Sequence, residues 1–563
     1  MNRLSRVLLL CFVTSVPLAV TARDLSPGQN AIASAHALAT DAGHTVLAAG
    51  GNAFDAAIAV AAALAVVEPY SSGIGGGGFF LVHDARTQHD GMVDARETAP
   101  AAATQTMFLD VNGKVAPERS LNGALAAGIP GLPAGLVYLA KHYARLPLAR
   151  NLAPAIALAN QGFAVSEHYA IMAGFRAPAF KQHSDAARIF LRDGKSPALG
   201  TVLTQPDLAR TLTAIAEHGD QGFYAGDLAR RLVAGARADG GIWSAQDLAD
   251  YRVKERVPLV GHYHGIRVVS APPPSSGGPV LLEALNILEN FQLAELNKVD
   301  RMHVVIEAMR LAYRDRADYL GDPDFVEMPI AHLIDKTYAR ELSAKIDIKR
   351  ATPSADLPPV TLDPNHHTTH FSVLDSAGNR VAATLSVNYP FGAATVPAGT
   401  GVLLNNEMDD FATSPLTPNA YGLVGGSANA VAAGRRPLSS MTPTFLESAD
   451  RIGILGTPGG SRIISMVLLG ALEFARGEAP ERWVTVPRYH HQYLPDVIEF
   501  ESGALSATEQ AALVTRGHEL KEVPRNYGNM QAILWQKTPP QVQAASDPRG
   551  EGAALVWPAS ERK

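Results

Sequence analysis

The chain has 563 residues, too many for one small core and enough for several packed layers. Apolar residues make up 47% and charged residues 18%, the balance of a compact globular protein, which excludes a disordered chain. With 48 Lys and Arg against 54 Asp and Glu the net charge is −6, which excludes the basic footprint of a nucleic-acid binder.

Taken in chain order, Arg3 and Arg6 precede an apolar stretch over 7–20, and Val20, Thr21 and Ala22 offer a small-residue cleavage site. This reads as a secretory signal over 1–22, with Arg23 opening the mature chain, and it is too short to span a membrane. The expected location is therefore periplasmic or secreted. Cys11, the single cysteine, lies inside this signal. A mature chain without cysteine has no disulfide, no thiolate metal site and no cysteine nucleophile, so an exported enzyme of this sequence needs another nucleophile.

Two helices are predicted over 31–49 and 53–67, joined by Gly50, Gly51 and Asn52, with Asp55 suiting the positive end of the second. Short strands follow at 79–82 and 92–94, and 133–251 reads as mainly helical. Residues 272–278 form a rigid Pro/Ser/Gly turn that opens a helix, and 301–320 carries a long amphipathic pattern. Residues 352–365 hold Pro353, Pro358, Pro359 and Pro364 with little periodicity, the signature of an exposed linker. Immediately after it, 368–375 alternates like a strand, 376–379 is a turn, and 380–387 is a second strand, which together predict a β-hairpin. Later strands are expected near Thr444 and at 452–455, 497–500 and 532–535, with a helix at 462–475 opened by Gly459, Gly460 and Ser461. The mix fits a layered α/β or α+β protein; the regular βαβ spacing of a doubly wound sheet is missing.

The linker-to-strand junction draws attention to Thr368. If the His367–Thr368 bond is broken, Thr368 carries both a hydroxyl and a free α-amine. An α-amine has an ordinary pKa of about 7.7–8.0, so part of it is neutral near pH 7 and acts as a base. The returning strand supplies Thr384 and Ser386 as nearby hydroxyls. One register sets Ser386 opposite Thr368, and a slip of one residue turns it to the other face. His366 with His367, and His490 with His491, invite a metal reading; adjacent histidines on a strand point apart and no acid completes a set, so no metal is expected.

Several motifs occur in order along the chain. They are Gly50-Gly51-Asn52-Ala53-Phe54-Asp55, the run from Val67 through Gly75-Gly76-Gly77-Gly78 to Phe79, and Asp94-Ala95-Arg96-Glu97-Thr98-Ala99-Pro100. After Thr368-Thr369-His370-Phe371 come Asn405-Asn406-Glu407-Met408-Asp409-Asp410, Arg436-Pro437-Leu438-Ser439-Ser440, Thr457-Pro458-Gly459-Gly460-Ser461-Arg462, Pro487-Arg488-Tyr489-His490-His491 and Asp547-Pro548-Arg549. As an ordered set they resemble the γ-glutamyltranspeptidases, members of the N-terminal nucleophile hydrolases.

That resemblance implies an α+β fold, the four-layer αββα sandwich, formed by two chains from one precursor: a large subunit over 23–367 and a small catalytic one over 368–563, held as a heterodimer. It implies cleavage between His367 and Thr368, with Thr368 as nucleophile and Thr384 and Ser386 hydrogen-bonding around it; Ser386 stands where the family often has threonine. Gly459 and Gly460 match the backbone N–H pair of an oxyanion hole, a role that suits glycines at a helix N-terminus. Arg96 matches the arginine holding the substrate α-carboxylate, helped by Ser439 and Ser440, and a guanidinium suits that task because it donates two parallel bonds. Asn388, Glu407 and Asp410 match the residues that receive the α-ammonium. Residues 415–426 resemble a lid whose Tyr421 reaches Asn388. No metal or cofactor is implied. The expected substrates are glutathione and other γ-glutamyl compounds, with water, amino acids or peptides accepting the acyl group, and no nucleic-acid partner. Two alternatives stand beside this: a related acylase of the glutaryl-cephalosporin type, whose substrates lack the α-ammonium, and an inactive, uncleaved binding homologue.

Overall fold

The computed structural model describes residues 26–354, 368–413 and 417–559. The signal over 1–22, Cys11, His366, His367, most of the linker and Pro415 of the lid lie outside the described residues.

Two antiparallel sheets face each other, and helices cover both outer faces. The first sheet has seven strands in the order Ala553–Pro558, Gln29–Ser34, Thr369–Leu374, Arg380–Ser386, Gly77–Asp84, His89–Ala95 and Lys254–Arg256. The second has six, in the order Pro540–Ser546, Gln531–Lys537, Arg451–Gly456, Thr444–Glu447, Ile266–Ser270 and Leu259–Tyr263. This is the expected α+β four-layer sandwich; all-antiparallel pairing is incompatible with a doubly wound parallel sheet.

Alternation of side chains writes the layers into each strand. In Gly77–Asp84, Phe80 and Val82 pack under the helices while Phe79 and Leu81 meet the other sheet. In Arg451–Gly456, Ile452 and Ile454 face the first sheet and Leu455 faces its own helices. The helix Ala53–Val67 is buried along all its residues, because it lies between the first sheet and an outer helical shell. It starts in a capping box, in which the Asn52 side chain accepts from Asp55 N and the Asp55 carboxylate accepts from Asn52 N at 2.9 Å.

The hairpin is in place as Thr369–Leu374 and Arg380–Ser386, and the helix expected at 301–320 is Lys298–Tyr319. The helix expected over 31–49 is corrected: Gln29–Ser34 is a strand, and the helix starts only at Ala37, capped by His36 Nδ1 accepting from Leu38 N at 3.1 Å. Alanine-rich sequence favours helix, but Ala31, Ile32 and Ala33 close a gap between two strands and are fully buried there, so tertiary packing overrides propensity.

Candidate active site

The hairpin register runs from Arg380 opposite Leu374 to Leu385 opposite Thr369, and the same count sets Ser386 opposite Thr368. Of the two registers the sequence leaves open, this one turns both hydroxyls to the same face, with Thr368 Oγ1 3.4 Å from Ser386 Oγ. Ser386 Oγ also accepts from Asn388 N at 2.7 Å, and Asn388 takes a left-handed φ of 72° to permit this turn. Thr384 is two pairs further along, opposite His370. Its hydroxyl is 2.9 Å from His370 Nδ1, and the other ring nitrogen is 3.3 Å from Ser372 Oγ. Thr384 thus stands near Thr368 at one remove: among the described residues, its side-chain partner is His370. Burial pushes the His370 imidazole down to about 3, so the ring is neutral and structural. The glycine run explains itself here. A Cβ on Gly76 would sit 2.1 Å from the Ser386 carbonyl oxygen, so no larger residue allows the neighbouring strand to approach.

One narrow cavity adjoins Thr368, lined among others by Arg96, Asn388, Glu407, Asp410, Tyr421 and Gly460. Arg96 is fully buried; it donates to Glu407 Oε2 and Asp410 Oδ2, both at 2.5 Å, and to the Pro437 carbonyl at 3.2 Å. Asp94 steers it by accepting from Arg96 N at 2.9 Å. The three carboxylates around one guanidinium pay for their burial unequally. Burial raises Glu407 well above the usual carboxylate range, with the Glu97 and Asp410 charges adding to it against the pull of Arg96. Burial likewise raises Glu97 to about 7, opposed by Arg96 at 3.6 Å. Glu407 Oε1 and both Glu97 oxygens are buried and meet no donor among the described residues.

Ser439 and Ser440 line the same cavity. Ser439 Oγ accepts from Met441 N at 3.1 Å, and Ser440 Oγ accepts from Arg316 at 3.4 Å. Arg316 is a second buried cation, lowered to about 10 by desolvation and tied to Ser276 Oγ at 2.9 Å. Tyr421 closes the cavity by donating to the Asn388 carbonyl at 2.7 Å. The loop behind it is pinned by Asn419, whose Oδ1 accepts from Tyr421 N at 2.9 Å and whose amide donates to Asp410 Oδ1 at 3.1 Å.

Gly459 and Gly460 flank Thr368, each in a left-handed conformation, with φ of 141° and 55°. They precede the helix Ile463–Ala475, and among the described residues neither amide N–H meets an acceptor. Gly460 lines the narrow cavity; Gly459 lines a second, wider one on the other side of Thr368, together with Glu68, Tyr70, His168 and Arg525. Two glycine N–H donors at a helix start, in residues that line the two cavities meeting at Thr368, suit a tetrahedral oxyanion.

The histidine pairs resolve separately. His490 Nδ1 lies 2.7 Å from Ser465 Oγ, while His491 Nε2 lies 3.1 Å from Asp496 Oδ1. Among the described residues, His303, Glu307 and His518 are close enough to share a cation. Here His303 Nδ1 is 2.7 Å from His518 Nε2, and Arg310 pairs with Glu307 at 3.3 Å, so a hydrogen bond and a fixed cation already account for the group. Sequence reasoning assigned no role to Glu68, Glu97, Arg316 or His370; Glu68, Glu97 and His370 carried a signal, since each lies inside one of the motifs, and Arg316 carried none.

Paired antiparallel sheets between helical layers, with a threonine at the head of a central strand, define the class of N-terminal nucleophile hydrolases. Within it, the chain belongs to the gamma-glutamyltranspeptidase family, whose model matches residues 39–557. It is 41% identical to the glutathione hydrolase proenzyme of Escherichia coli (strain K12), over 92% of this chain and 90% of the relative. Among solved structures it is similar to a cephalosporin acylase from Bacillus halodurans, with a TM-score of 0.83 and 29% identity over 98% of this chain and 99% of that one. It is also similar to the γ-glutamyltranspeptidase of Helicobacter pylori, with a TM-score of 0.55 and 41% identity over 56% of this chain and 92% of that one.

Proposed function

We propose that this chain is an exported, self-cleaving γ-glutamyl transferase and glutathione hydrolase with Thr368 as its nucleophile. The observation that carries this reading is the narrow cavity in which Thr368 adjoins the buried Arg96 and Glu407 and the partly exposed Asp410. A glutamyl α-amino acid head brings one cation and one anion. Arg96, Ser439 and Ser440 receive the carboxylate, and Glu407, Asp410 and Asn388 receive the ammonium, so each buried charge exchanges one partner for another and the site stays balanced.

Maturation starts when Thr368 Oγ attacks the His367 carbonyl carbon. The His367–Thr368 C–N bond breaks as the acyl group moves to oxygen, and water hydrolyses the ester, which leaves a His367 carboxylate and a free Thr368 α-amine. That amine takes the hydroxyl proton as Oγ attacks the γ-glutamyl amide carbon. Gly459 and Gly460 N–H groups receive the oxyanion, each donor typically worth about 2.7–4 kcal/mol in acyl transfer. The proton passes to the departing amine nitrogen, and a γ-glutamyl ester remains on Thr368. Water or an acceptor amine then attacks the ester and gives its proton to the α-amine; the bond between the acyl carbon and Thr368 Oγ breaks, glutamate or the new γ-glutamyl amide leaves, and the α-amine returns the proton to Oγ. The wider cavity, which opens on the other side of Thr368, receives the leaving group and the acceptor. The name proenzyme on the Escherichia coli relative supports a precursor, and the apolar stretch over 7–20 supports export.

An acylase reading is favoured by the Bacillus halodurans neighbour, but two carboxylates at the head of the cavity oppose a glutaryl group, which has no ammonium to offer them. The deciding experiment is intact mass and gel analysis of wild type beside Thr368→Ala, with γ-glutamyl- and glutaryl-p-nitroanilide as paired substrates. Wild type is expected to give two fragments, the smaller beginning at Thr368, and to prefer the γ-glutamyl compound; Thr368→Ala stays whole and inactive. An uncut active wild type, or a clear glutaryl preference, overturns the reading.

A further inference from the structure

Glu68 closes the buried helix Ala53–Val67 as its C-cap, its N–H bonding to the Leu64 carbonyl at 2.8 Å. A carboxylate there faces the negative end of the helix dipole, an unfavourable placement. The residue is also 4% exposed. Its oxygens accept from two neutral hydroxyls, Thr369 Oγ1 at 2.7 Å and Tyr70 at 3.3 Å. Glu407 and Asp410 both have Arg96; among the described residues Glu68 is in no ion pair.

The position of the Thr369 bond is informative. Thr369 directly follows Thr368, so the Glu68 carboxylate is held within one residue of the Thr368 nitrogen, and Glu68, Tyr70 and Thr368 line the same wide cavity. We infer that Glu68 is the counter-ion of the α-amine that cleavage exposes on Thr368, and that it steadies the ammonium formed each time the amine takes up the hydroxyl proton. This rests on the N-terminal-threonine reading above. Glu68 is then a positioning residue for the base, in the manner of the acid that orients a catalytic histidine.

The other charged and titratable groups at this cavity are Tyr70, His168, Arg525, Tyr527, Arg549 and Glu551; burial raises the Tyr527 phenol, so it stays neutral. Arg549 is engaged by Glu501 and Asp547, and Glu551 Oε1 accepts from His168 N at 3.2 Å. Arg525 is exposed at the rim, where water screens it. In the uncut chain burial raises the Glu68 carboxyl to about 7, with the Thr369 bond opposing it. A cation appearing beside it draws it towards the ionised form.

The test is the pH profile of kcat/KM for γ-glutamyl-p-nitroanilide in wild type, Glu68→Gln, Glu68→Ala and Glu68→Asp. The uncut chain has no α-amine at Thr368, so all four are expected to split into two fragments, which also reports folding. A carboxylate favours the protonated amine, so removing its charge lowers the amine pKa. The acid limb in Glu68→Gln is expected to move to lower pH by about one unit, and kcat/KM at the plateau to fall about tenfold. Glu68→Ala, which admits water from the cavity, is expected to shift the same way, and Glu68→Asp to restore the wild-type limb. A limb that coincides with wild type in either cut, charge-free variant overturns the inference and leaves the threonine mechanism standing. A wild type that never splits removes the mechanism itself, so the two failures are distinct.

Discussion

The two cavities that meet at Thr368 are made in contrasting ways. On one side, Arg96, Glu407, Asp410, Ser439 and Ser440 are largely buried and several are bound to one another. On the other, the wall includes Ile171, 39% exposed, and the solvent-facing Arg525 and Asn526. The first is a fixed mould for one small charged head; the second is a loosely lined mouth. Acyl transfer from one kind of donor to many acceptors needs this asymmetry, because specificity comes from desolvated charge pairs that leave a penalty when unmatched.

Removing Arg96 breaks the mould most severely. Arg96→Ala strands the buried Glu407 and the partly exposed Asp410, a change that typically costs about 2–5 kcal/mol, so kcat/KM for γ-glutamyl-p-nitroanilide is expected to drop by about 10²–10³. Steady-state kinetics on the cut enzyme read this directly, and a loss below tenfold would mean that the guanidinium does not hold the head. Gly460→Ala sharpens the boundary between the cavities. Its Cβ would lie 2.6 Å from the Tyr421 ring at a φ of 55°, so the turn must shift. The expected result is a fall in kcat of about 10² with KM changed less, as for loss of one oxyanion donor. Arg525→Ala probes the loose side and has the smallest effect. Donor hydrolysis is expected to stay within about twofold, while KM for a dipeptide acceptor changes about threefold, the scale of an exposed charge contact. A matching change in donor KM would erase the distinction between the two sides.

Much of this was legible beforehand. The hairpin announced itself through alternation, a turn and the abrupt end of a proline-rich stretch, and among the described residues every assigned one but Thr384 lines a cavity with Thr368. What stayed hidden depends on distance along the chain. The Arg96 to Glu407 bond joins residues 311 positions apart, and no local pattern says that recognition groups of opposite charge pair with each other. The strand Gln29–Ser34 was masked by alanines whose conformation is decided by neighbours from the far end of the chain. Thr384 looked like a neighbour of Thr368 because it shares a face with Ser386; only the register revealed that it sits opposite His370 and meets that ring.

The order of strands in the first sheet has a consequence for the cut protein. Gln29–Ser34, from before Thr368, is hydrogen-bonded on one edge to Thr369–Leu374 and on the other to Ala553–Pro558, both from after it. Neither fragment owns a complete sheet. If the chain is cut before Thr368 as proposed, dilution would have no equilibrium to act upon short of unfolding, and the fragments would inherit a one-to-one stoichiometry from the single gene product. A backbone opened at that one bond would still leave a protein that travels in solution as one molecule.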